Sequence, residues 1–103
     1  MEKVLETIKG EVENSGARVL KIILFGSRAR GDASEDSDFD FLVITDMDMD
    51  RQAKWDLIIR IKRKLALFKI PNDIFINSLR EFEERKDNVG YVTYYAWREG
   101  KAL

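Results

Sequence analysis

Leu24-Phe25-Gly26-Ser27-Arg28-Ala29-Arg30-Gly31, a polar run, and then Ser37-Asp38-Phe39-Asp40-Phe41-Leu42-Val43-Ile44 carry most of what this sequence says about itself. The pattern is a buried strand that runs into a Gly-Ser turn with two arginines, a polar excursion, and a second strand that opens on two carboxylates. Alternate residues of a strand point to one face, so Asp38 and Asp40 can bind one hard cation together. Gly26 lets backbone approach a phosphate closely, Ser27 offers a hydroxyl and an amide, and Arg28 and Arg30 can add charge-assisted contacts. A metal-dependent nucleotide site is the expectation that the rest of the chain must support or refuse.

Outward from that stretch, the strand before it is Val19 to Phe25, rich in β-branched residues and bounded by glycine. Ahead of it, Val4, Leu5, Ile8 and Val12 recur at helical spacing over residues 2 to 15, closed by Asn14-Ser15-Gly16. Ser27 to Ala33 reads as a short helical turn and Ser34 to Ser37 as loop. The second strand covers Phe39 to Thr45. A long helix is expected from Arg51 to Lys69, with Trp55, Ile58, Ile61, Leu65 and Phe68 as its core-facing stripe and Asp48 or Asp50 as its cap.

Pro71 closes that helix, and Asn72-Asp73-Ile74-Phe75-Ile76 reads as a third strand carrying a third carboxylate, Asp73. Ser78-Leu79-Arg80-Glu81 has capping-box spacing, so a helix should begin there. The tail holds Val89, Tyr91, Val92, Tyr94, Tyr95, Ala96 and Trp97; Asp87 as N-cap and Gly100 as a C′ residue favour helix over strand. The tyrosines and tryptophan are too many for one buried face, so some should be core and others free for a partner or another copy. This order predicts an α/β fold, a small mixed β-sheet covered by helices, as one domain over residues 1–103.

Composition narrows the chemistry. The chain has 18 basic and 19 acidic residues for a net charge of −1, which gives no basic footprint for nucleic acid. It has no cysteine and no histidine, so thiolate and imidazole metal sites are excluded, and a metal would be a hard ion on oxygen, magnesium first. Absence of disulfides suits a reducing cytoplasm, and no apolar run reaches the roughly 20 residues of a membrane span. Calcium spacing fails: an EF-hand counted from Asp46 needs Gly where Arg51 stands and Glu where Leu57 stands, and counted from Asp36 it meets Phe41 and Met47. Arg60, Lys62, Arg63 and Lys64 read as the wet face of a helix.

Gly26-Ser27, ten intervening residues, then Asp38-Phe39-Asp40 resembles the G-S-x10-D-x-D signature of the DNA polymerase beta-like nucleotidyltransferase superfamily. The fuller strings Gly-Ser-Arg-Ala-Arg-Gly-Asp and Asp-Ser-Asp-Phe-Asp-Phe-Leu-Val are similar to its minimal, MNT-type branch. Asp73 falls where that family carries its third carboxylate, and Arg98-Glu99-Gly100 resembles its closing segment. The resemblance implies the polymerase beta-like nucleotidyltransferase fold, with Asp38, Asp40 and Asp73 as catalytic ligands of Mg2+, two ions when a nucleotide is bound, and Gly26, Ser27, Arg28 and Arg30 around the nucleotide. It implies transfer of AMP from ATP to a hydroxyl acceptor. It also implies a HEPN-domain toxin as partner, adenylylated on a tyrosine, with this chain as antitoxin; a hetero-oligomer with that toxin and a homodimer through the aromatic tail both stay open. Two alternatives stand beside it: an antitoxin that neutralises by binding alone through the aromatic tail, and a small-molecule transferase of the antibiotic-modifying kind.

Overall fold

The computed structural model describes residues 1–103. In chain order the elements are α1 (Glu2–Asn14), β1 (Val19–Phe25), α2 (Ser27–Arg30), β2 (Phe39–Thr45), α3 (Arg51–Leu67), β3 (Asn72–Ser78), α4 (Leu79–Arg85), α5 (Val92–Glu99) and β4 (Lys101–Ala102). They build a four-stranded sheet in the order β3-β2-β1-β4. β1 runs antiparallel to β2 and to β4, while β2 and β3 are parallel. A parallel neighbour requires a crossover, and α3 is that crossover.

Alternation along the strands sorts side chains onto two cores. Ile22, Leu24, Phe41, Val43, Ile74 and Ile76 face α1 and α3, where Val4, Ile8, Val12, Leu57, Ile61 and Leu65 meet them. Ile23, Phe25, Leu42 and Ile44 face the other way, against Phe82 of α4 and Ala96 of α5. Both faces of β2 are covered, which is why its sequence reads as an unbroken apolar run rather than an alternation.

The buried stripe of α3 agrees with the expected one at Ile61 and Leu65, with Ile58 packed partly against the same core, and departs from it at Trp55, Leu57 and Phe68. Leu57, Ile61 and Leu65 are sealed, whereas Trp55 is 58% exposed and Phe68 46%. The buried positions step by four along a single ridge, and that register turns Trp55 outward. The helix also stops at Leu67 rather than Lys69; Lys69 adopts a left-handed conformation with φ 58°. At its start Asp50 is the cap, accepting from the Ala53 amide at 2.8 Å.

Ser78 and Glu81 form the reciprocal capping box that opens α4, and Glu81 extends the link to α3 through Lys54 Nζ at 2.8 Å. The tail departs further from expectation. Its helix starts at Val92 with Tyr91, not Asp87, in the cap position, and Gly100 at its end is extended (φ −81°, ψ 169°) rather than left-handed. Gly100 instead hands the chain to β4, a strand the sequence does not announce. A Cβ there would collide with the Ala96 carbonyl and the Ile23 side chain, so glycine is required by space. Ala96 and Thr93 are the buried residues of α5, while Tyr91, Tyr95 and Trp97 stay largely exposed.

Candidate active site

β1 ends, and β2 and β3 begin, at the same end of the sheet. The register places Asp40 opposite Phe25 on one side and level with Asp73 on the other. By alternation Asp40 and Asp73 lie on the α4/α5 side of the sheet, at its open end, and Asp38, one residue before β2, is near enough for its charge to bear on Asp40. The third strand expected to bring Asp73 alongside the first two carboxylates is thus directly beside them.

Gly26 closes the site from the β1 side. Its backbone is held at φ 74°, ψ −158°, a region that essentially only glycine occupies. A Cβ on it would land on Asp40 Oδ2. Two independent demands, one conformational and one steric, therefore fix glycine at this position. Ser27 then opens the single turn of α2, whose Ala29 and Arg30 amides donate to the Gly26 carbonyl at 3.1 Å each. Buried Ala29 anchors that turn on the core.

The two arginines have different occupations. Arg28 donates from Nε and Nη2 to the Ser37 carbonyl at 3.2 and 3.0 Å and from Nη2 to the Glu35 carbonyl at 3.1 Å. Its guanidinium also lies over the Phe39 ring, 4.3 Å from the centroid. The structure thus gives Arg28 to the 34–37 excursion, which it staples just ahead of Asp38 and the start of β2. Arg30 stays at the surface, 3.3 Å from Glu99 and 3.4 Å from Asp32, and its charge reaches Asp40. Glu99 of the closing segment enters the site's surroundings through that contact.

Electrostatics mark Asp40. Burial first, then the charges of Asp73 and Asp38, push its carboxyl above the ordinary carboxylate range, against an opposing pull from Arg30. Clustered carboxylates with one partly desolvated member form a surplus of negative charge that a cation would relieve. All the donors are oxygens, which suits magnesium. The carboxylates are neighbours rather than a closed cage, for no three acidic side chains are gathered tightly enough to hold an ion as they stand.

The sequence assigns Lys62 to a wet helix face, yet its Nζ lies 3.6 Å from Asp73 Oδ1 and donates to the Asn72 carbonyl at 2.9 Å. Nothing in the spacing of α3 signals this; the contact exists because β3 is an edge strand and Lys62 reaches round it. Arg60 and Lys64 do lie on the outer face, where they pair with buried Glu11 of α1. Beyond Asp73, a cavity of about 550 Å³ runs between α3 and the start of α5, with Trp55, Ile58, Phe75, Tyr91 and Val92 among its walls.

The sequence matches the nucleotidyltransferase domain family over residues 3–95. A Methanocaldococcus jannaschii protein, whose name ascribes protein adenylyltransferase activity to it, is 43% identical over 67 residues, 65% of this chain. The chain covers 58% of that relative's length. A crystal structure described as a nucleotidyltransferase is similar with a TM-score of 0.63 at 25% identity, covering 100% of this chain and 96% of the other. The fold is also shared with a toxin-antitoxin structure containing AMP-PNP, with a TM-score of 0.60 at 21% identity over 94% of this chain and 69% of that one. A Shewanella oneidensis HEPN toxin in complex with MNT antitoxin gives 0.56 at 18% identity over 98% and 66%.

Proposed function

The chain belongs to the nucleotidyltransferase domain family, and on that premise we propose that it moves AMP from ATP to a hydroxyl group of a partner protein, with a HEPN-domain toxin as that partner and neutralisation as the result. The observation that carries the reading is the meeting of Gly26, Asp40 and Asp73 at one level of the sheet, with an apolar cavity opening beside Asp73.

The roles follow from position. The Gly26-Ser27 turn receives the triphosphate, with Arg30 near its rim. Asp38, Asp40 and Asp73 would hold magnesium, which when bound would supply positive charge to the phosphate oxygens and acidify the acceptor hydroxyl. In the transfer the acceptor oxygen bonds to the α-phosphorus, the bond from that phosphorus to the bridging oxygen breaks, and pyrophosphate leaves. Asp73, at the mouth of the cavity, orients the acceptor hydroxyl and takes its proton. Arg28 acts at one remove by fixing the excursion that leads into Asp38.

The cavity favours a protein acceptor. Its walls are mostly apolar, and two of its three cations, Lys54 and Arg85, are paired with Glu81, so it presents little unpaired charge to a phosphodiester or a polyanionic sugar. The exposed Tyr91 at the cavity and the exposed Tyr95 and Trp97 along the same helix give a partner aromatic surface to bind.

The test is incubation of the full chain with ATP labelled on the α-phosphate, magnesium and the product of the neighbouring gene. Label should appear on the partner and fall by about a hundredfold or more in Asp38→Ala and Asp73→Ala. Tight binding and neutralisation without label would establish the binding-only antitoxin instead. Label confined to a small molecule would establish the antibiotic-type transferase.

A further inference from the structure

We infer that Lys62 is a positioning residue whose ammonium holds Asp73 when no divalent ion is bound and yields that carboxylate to the ion when one arrives. The inference rests on the magnesium-dependent reading given above. Lys62 belongs to α3, on neither carboxylate strand, and it reaches the site around the free edge of β3. Its Nζ is tethered to the Asn72 carbonyl at 2.9 Å and lies 3.6 Å from Asp73 Oδ1. The first contact is a hydrogen bond; the second is longer than one, an ion pair without a shared proton.

That asymmetry makes release inexpensive. An ammonium anchored on a carbonyl keeps a partner when it surrenders the carboxylate beside it. The side chains of Lys62 and Asp73 are 41% and 50% exposed, so water screens their attraction and the pair is weak. A divalent ion brings twice the charge to the same carboxylate and draws on Asp38 and Asp40 as well. Until then Lys62 compensates part of the repulsion among the carboxylates. Ion and lysine therefore compete for Asp73, and Lys62 raises the ion concentration at which the site fills.

The competition is read with Mn2+, an oxygen-binding divalent ion whose free form has an electron-spin resonance signal, titrated into the full chain without nucleotide. Lys62→Met keeps the aliphatic stem and removes the charge; it should bind Mn2+ about two- to fivefold more tightly than the wild type. Lys62→Arg should stay near the wild type. Lys64→Met removes an equal charge from the same helix, where Lys64 pairs with Glu11 at 3.5 Å, and should leave Mn2+ affinity unchanged. Unchanged affinity in Lys62→Met, or equal tightening in Lys64→Met, overturns the inference, because the effect is then absent or is only net charge. If Asp38→Ala loses Mn2+ while Lys62→Met is unchanged, the inference alone fails. If the wild type and Asp38→Ala behave alike, the magnesium site fails and the inference fails with it.

Discussion

A methyl group at position 26 would overlap the Asp40 carboxylate, so the turn and the acid form one device: the absence of a side chain on one is what lets the other approach the end of β1. Asp40 also carries a charge that costs the fold stability. Its carboxyl holds a proton to higher pH folded than unfolded, because burial and the charges of Asp73 and Asp38 disfavour the anion. Fewer protons bind in the unfolded state between the two pKa values, so stability falls as pH rises through that window. The penalty is absent below the unfolded value of 3.8 and complete above the raised folded one. Asp40→Asn should therefore melt higher than the parent at pH 7 to 8, with the gap closing as pH approaches 3.8. Solvent screening of this partly exposed group limits the gain to less than about 1 kcal/mol. Melting curves of both proteins across that range are the check, and a gap that widened in acid would contradict the assignment.

At the scale of elements, α3 separates burial from periodicity. Leu57 is 0% exposed and Trp55 58%, although both fit an apolar helical pattern. Leu57→Ala should cost about 2–5 kcal/mol through lost contacts and a residual cavity, whereas Trp55→Ala should cost about 1 kcal/mol or less. Denaturant midpoints of the two variants measure the difference. Much of the architecture was legible because local chemistry agreed with it. The β-branched run before Gly26, the Ser78-Glu81 box and the Asp50 cap each state their element within a few residues. The middle of the α3 stripe, Ile61 and Leu65, was legible, but its ends were not, since Trp55 and Leu57 both continue an apolar helical pattern and only the sheet beneath decides between them. The start of α5 was hidden because Asp87 is the better cap by type, while the helix begins at Val92. β4 depends on Gly100 packing against Ile23, a contact with a residue remote in sequence. At the candidate site, the nearness of Gly26, Asp40 and Asp73 was foreshadowed by residue type and by the strands they sit on. The stapling by Arg28 and the reach of Lys62 belong to tertiary contacts, which spacing does not encode.

For the whole molecule, charge is nearly balanced at −1 overall, and elsewhere much of it is paired across element boundaries. Glu11 ties α1 to Arg60 and Lys64 of α3, Lys54 ties α3 to Glu81 of α4, and Arg80 of α4 meets Asp48 before α3. At the carboxylate end the anions outnumber the cations, so added Mg2+ should raise the melting temperature of the whole chain. A concentration 100 times the dissociation constant would contribute about 2.7 kcal/mol. Thermal scans with and without Mg2+ should show this rise in the wild type and its loss in Asp38→Ala. No helix is long and apolar enough to cross a membrane. The parallel pairing of β2 with β3 has a further consequence, in the order of assembly. Asp38 and Asp40 come into reach of Gly26 through an antiparallel neighbour close in sequence, but Asp73 joins them only after α3 has crossed over and β3 has docked. Closing that loop is the entropically slow step of the pairing. A chain still emerging from the ribosome, or one opened at the β3 edge, therefore carries the Gly26-Ser27 turn without Asp73, and the candidate site is completed only as the crossover closes.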